Sequence, residues 1–160
     1  MVSDAAVATL AGLSVTASFP FYLYGAWIVV DAETVTWNVL VAHLKVILVG
    51  LVLTTVPVAG WMVPRLADQF GGLAVLHAVL GLQAYAMLAF ALTGIVRIFQ
   101  VKREADLYSD PDPEADISEL HPDMDAWRGR LRVGVVGYLT FWLLAYLVGV
   151  ARFLEMYVLG

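Results

Sequence analysis

Four long apolar runs, at 5–30, 36–63, 72–100 and 133–159, take up most of this 160-residue chain. Each reaches the length of about 20 residues that a helix needs to cross a hydrocarbon core about 30 Å thick. They predict an all-α fold: an integral membrane four-helix bundle in a single domain spanning 1–160, in contact with the lipid bilayer. Composition agrees. Hydrophobic residues make up 61% of the chain and charged residues 14%, against about half and about a quarter in an ordinary soluble domain. The N-terminus lacks the positive stretch of a secretory signal, so the first run reads as an uncleaved membrane helix.

The charges that remain are clustered. The loop 101–127, read as mobile and acidic, carries nine acids against Lys102 and Arg103, within a net charge of −5 for the chain. Such a surface offers nothing to nucleic acid. With no cysteine in the sequence, disulfides, thiolate zinc sites, iron–sulfur clusters and a Cys nucleophile are all ruled out. The Asp110, Asp112, Glu114 run has the alternation of a calcium loop, but Pro111 and Pro113 and the missing glycine depart from one. A solvated acidic tract is the expectation there.

Prolines punctuate the spans. Pro20 lies inside the first; Pro57 lies inside the second, and Pro64 ends it. A proline in a lipid helix frees a carbonyl one turn back, and Thr54 and Thr55 are placed to satisfy or bend the turn at Pro57. The connections 31–35 and 65–71 are short, so the first three helices are expected as antiparallel neighbours. Near the span ends Arg97, Lys102, Arg103, Arg128, Arg130 and Arg132 lie on the side of the long loop, with Arg65 and Arg152 on the other. Six cations against two place the loop in the cytoplasm and both termini outside, in the cell membrane. "MDAWRGRLRV", 124–133, reads as an interfacial lead-in, and Ala145 with Gly149 and Gly134 with Gly137 have the spacing of close helix packing.

A strongly polar side chain near the bilayer centre costs roughly 2.5 to 3.5 kcal/mol, so each one needs a partner, water or an escape to the interface. His43 and Lys45 interrupt the second run, His77 and Gln83 the third, and Arg152 and Glu155 the end of the fourth. Arg97 and Arg152 can snorkel, and Arg152 can pair with Glu155 three residues on. The histidines cannot snorkel. Imidazole is also the side chain that most readily binds metal or haem or relays protons. Counting about 1.5 Å per residue puts His43 roughly 10 Å inside the loop side and His77 roughly 8 Å inside the other, about 12 Å apart in depth. That separation keeps them from sharing one haem. Two sites remain open, because Gly50 shares a face with His43 and Gly81 with His77, and a flat macrocycle needs such clearance.

The succession of "AHLKVILVGL", "LHAVLGLQAYAMLAFALTGIVR" and "HPDMDAWRGR" resembles part of the transmembrane di-haem cytochromes b of the ascorbate and ferric-reductase type. The resemblance implies a b-type haem held by His43 and His121, with His77 requiring a partner on a fifth helix that this chain lacks. The acid-rich loop and four-span layout also look like small multi-pass membrane proteins of extreme halophiles.

Three readings stand. The first in weight is a non-catalytic subunit or scaffold of a membrane complex, associating with other membrane subunits or with itself, in which His77 bonds Glu155 or Gln83 and His43 bonds a carbonyl or a threonine. The second is a b-type haem electron-transfer subunit using His43, His77 or His121 as ligands. The third is a small transporter or proton-relay protein, favoured by the common depth of His77, Arg152 and Glu155. Phosphate loops, HExxH motifs and nucleophile elbows are missing from the sequence, which leaves a soluble-type enzyme without support.

Overall fold

The computed structural model describes residues 3–33, 36–68, 71–104 and 119–159; the tract Asp110, Asp112, Glu114 lies outside them. All of its elements are helical. α1 (Asp4–Ala17) and α2 (Phe19–Val30) make the first crossing, and α3 (Trp37–Pro57) the second. α3 runs on through a wide π turn, Val58–Met62, and a tight 3-10 stretch, Val63–Asp68. α4 (Gly72–Glu104) and α5 (Met124–Leu154), the latter closed by a π turn at Glu155–Leu159, complete the set. Among the described residues, four segments are long and apolar enough to cross a membrane: Asp4–Val30, Trp37–Arg65, Gly72–Glu104 and Met124–Leu159. The chain is an all-α membrane protein.

Caps fix where the first helices begin. Ser3 accepts from Ala6 N at 3.3 Å and starts α1, with Asp4 in the first turn complementing the helix dipole. Thr36 does the same for α3, accepting from Val39 N at 3.4 Å.

Both prolines inside the first two crossings act where a missing N–H predicts. Pro20 cannot donate to the Thr16 carbonyl, and the first crossing breaks at Ser18. Ser18 is fully buried, and its hydroxyl donates to the Val15 carbonyl at 2.6 Å. Pro57 cannot donate to the Leu53 carbonyl, and that oxygen accepts instead from the Ser14 hydroxyl of α1 at 2.8 Å. Thr54 bonds the Gly50 carbonyl at 3.1 Å, one turn away from the break.

α4 and α5 form the spine of the bundle. Their 33 and 31 residues give helices about 50 and 46 Å long at about 1.5 Å per residue, more than an apolar core of about 30 Å requires. They meet through small residues. A Cβ on Gly134 would stand 2.6 Å from the Ala91 Cβ and 2.7 Å from its nitrogen, and one on Gly94 would stand 2.7 Å from the Trp127 carbonyl oxygen. Only glycine lets the two backbones come this close.

Two apolar clusters tie the other helices to this pair. Val15, Tyr22, Ala84, Tyr138 and Trp142 fill the middle of the bundle. There the Trp142 ring packs on Phe19 at 4.6 Å and edge-on to Tyr22 at 5.2 Å. At the loop end Leu40, Ile98, Val101 and Met124 form the second cluster, with Leu120 and Trp127 against it. This cluster anchors the start of α5: "MDAW" is the first turn of the helix, continuous with the fourth crossing, and Met124 is 1% exposed.

Candidate functional site

A buried chain of hydroxyls crosses the centre of the bundle. Tyr22 from α2 lies 2.8 Å from the Tyr138 hydroxyl of α5 and 3.1 Å from Thr54 Oγ1 of α3. Proton counting sets its direction. Thr54 donates its one proton to the Gly50 carbonyl, so it accepts from Tyr22, and Tyr22 in turn accepts from Tyr138. The chain thus runs Tyr138, Tyr22, Thr54 and ends on a backbone carbonyl, which cannot pass a proton on. Next to it the Tyr85 hydroxyl of α4 donates to Thr55 at 3.1 Å. Between them these bonds join α2, α3, α4 and α5 at mid-depth.

Nothing in the histidine pattern pointed to these tyrosines. The signal available was the hydroxyls themselves, since a Tyr deep in an apolar helix needs a partner for its O–H.

The sequence-predicted residues fall into separate environments. His43 is half-buried, and its Nδ1 lies 2.7 Å from the Gly25 carbonyl of α2; because a carbonyl only accepts, Nδ1 carries the proton. His77 packs against α5, with its Cε1 3.0 Å from where a Cβ of Gly149 would stand. Its Nδ1 faces Arg152 Nη1 at 3.4 Å. Arg152, and not Glu155 or Gln83, is therefore the described neighbour of His77. His121 stacks on Trp127 at 4.6 Å and accepts from Asp123 N at 3.0 Å. Lys45, Gln83 and Glu155 are exposed on the outside of the bundle.

One cation that the loop assignment had set aside is buried. Lys102 is 4% exposed, and its Nζ lies over the Trp37 ring, 3.1 Å from the centroid. This cation–π contact holds the end of α4 to the start of α3.

The clearance expected for a b-type haem is filled at Gly50, on the helix of His43, and open at Gly81, on the helix of His77. The clearance expected at Gly50 is occupied by the Tyr22 ring, 3.0 Å from where a Cβ would stand. The glycine against His77 is Gly149, and the imidazole itself fills that notch. The Nδ1–H bond of His43 to the Gly25 carbonyl leaves its Nε2 lone pair unspent, whereas His121 accepts at Nδ1 from Asp123 N and stacks on Trp127. Among the described residues, no three His, Asp or Glu side chains converge as metal ligands would.

A family model described as a domain of unknown function, DUF7321, matches residues 4–158. The chain belongs to the DUF7321 family. The DUF7321 match takes in all four crossings, the hydroxyl chain and the three histidines. No curated protein and no solved structure matches the chain. In this DUF7321 protein, every buried side-chain nitrogen or oxygen among the described residues has a hydrogen-bond partner. The polar groups of the core are thus already committed within the chain.

Proposed function

We propose that this DUF7321 protein is a non-catalytic subunit or scaffold of a membrane assembly. One observation carries the reading: the hydroxyl chain Tyr138, Tyr22, Thr54 ends on the Gly50 carbonyl. A site that binds or moves something holds polar groups in reserve. Here they are spent on joining helices, as in a bundle built to keep its shape. The bond from His43 to the Gly25 carbonyl ties α3 to α2 in the same way. The six-to-two excess of Lys and Arg supports an orientation with the long loop in the cytoplasm and both termini outside.

Purification from native membranes in mild detergent tests this. A colourless preparation that retains further membrane chains in fixed ratio is expected. A Soret band that disappears in His43→Ala would replace the reading with that of an electron-transfer subunit.

The pair of His77 and Arg152 at 3.4 Å favours a second reading, a small transporter or proton-relay protein, because the two groups share one depth near the terminal end. Proteoliposome uptake or proton flux that is lost in both His77→Ala and Arg152→Gln would establish it.

A further inference from the structure

α4 buries one flank and leaves the other bare. Ala84, Ala91, Gly94 and Ile98 are buried in the bundle. On the far flank Leu76, Val79, Gln83, Ala86, Phe90 and Thr93 are all exposed. Their spacing alternates three and four residues, the repeat with which one helix lies along another.

Gln83 stands out on this flank. Lying eleven residues into α4, it is about 17 Å from the helix start and so close to the bilayer midplane. Its short side chain cannot reach either headgroup layer, and its amide has no hydrogen-bond partner among the described residues. The hydroxyl of Thr93, further along the flank, is already given to the Phe90 carbonyl at 2.6 Å. The exposed large side chains of the other helices at comparable depth, such as Leu48, Val52, Leu143 and Leu144, are aliphatic and suited to acyl chains. Gln83 is not, because lipid supplies neither a donor nor an acceptor.

We infer that two copies of this chain pair in the membrane through this flank of α4, each Gln83 amide hydrogen-bonding its counterpart across a twofold axis. Copies inserted in the same sense present Gln83 at one depth, so the residue meets itself. A primary amide is self-complementary, donating through Nε2 and accepting through Oε1, and a twofold axis satisfies both bonds at once. Ala86, three residues on, is small enough to let the backbones close to the distance those bonds need. Arg97, at the loop end of the same flank, is turned to Gln100 Oε1 at 3.1 Å. There it is near enough to the headgroups to keep its charge in water. The inference rests on the reading of the chain as part of an assembly, and adds to it the surface and the occupant.

The chain has no cysteine of its own, so single-cysteine variants oxidised in native membranes read the contact directly. Ala86→Cys and Thr93→Cys should each give a disulfide-linked species of twice 17.4 kDa, while Leu144→Cys, at similar depth on α5, stays monomeric. Adding Gln83→Leu to Ala86→Cys should lower the linked fraction at limiting protein about tenfold, the effect of removing hydrogen bonds across a helix pair. Seam variants that link no better than Leu144→Cys overturn the pairing. Linkage to a protein of another mass also overturns it as a pairing of like chains, while leaving the subunit reading in place. A monomeric chain with no companion would remove both.

Discussion

The Ser14 hydroxyl donates to the Leu53 carbonyl at 2.8 Å, the oxygen that Pro57 leaves without its helical donor. The bond crosses from α1 to α3, so a defect in one helix becomes an attachment point for its neighbour.

Ser14→Ala removes the hydroxyl donor to that half-buried carbonyl and should lower stability by about 1–2 kcal/mol, the cost of leaving an acceptor unsatisfied away from water. Pro57→Ala restores an N–H to the helix. In that background Ser14→Ala should cost clearly less, and thermal unfolding of the four variants in bicelles measures the difference as a double-mutant cycle.

The directed hydroxyl chain predicts unequal losses. Tyr138→Phe removes only the first donor and leaves the bond from Tyr22 to Thr54 intact. Tyr22→Phe takes away the middle link and leaves the Tyr138 hydroxyl with no acceptor in the core. It should cost about 1 kcal/mol more than Tyr138→Phe, within the range for stranded buried polar groups. Unfolding midpoints of the two variants in one detergent decide the order.

Packing of α4 on α5 gives a steric prediction. Gly134→Ala sets a methyl 2.6 Å from the Ala91 Cβ and should destabilise by about 1–3 kcal/mol. Gly12→Ala, with nothing within 4 Å of the added atom, should be neutral or slightly stabilising in the middle of α1. Ala91→Gly should recover part of the Gly134→Ala loss. Equal unfolding temperatures for Gly134→Ala and Gly12→Ala would mean that the two helices do not touch there.

Depth was legible in the sequence, and rotation was not. The lengths of the apolar runs define the four crossings, and the prolines mark where the helices deform. Residue counting places His77, Arg152 and Glu155 near one level. Which of them meet depends on the direction each side chain takes around its helix. Gly149 and Arg152, three residues apart on α5, both face His77, whereas Glu155 turns outward. The same limit applies at Gly50, whose spacing from His43 suggested an open face. Only the packing of α2 on α3 puts the Tyr22 ring there. Gln83 is the reverse case: its polarity suggested an inward position, yet its angle on α4 leaves it outside. Ser14 carried no visible signal, because its partner is a main-chain oxygen on another helix.

Native mass spectrometry of the protein extracted from its own membrane into lipid nanodiscs is the most direct measurement of the central claim, that this bundle is a structural part of an assembly. Species holding two or more membrane chains, with no prosthetic-group mass on the 17.4 kDa chain, are the predicted result. A single chain travelling alone, or one carrying the mass of a haem that His43→Ala removes, would contradict it.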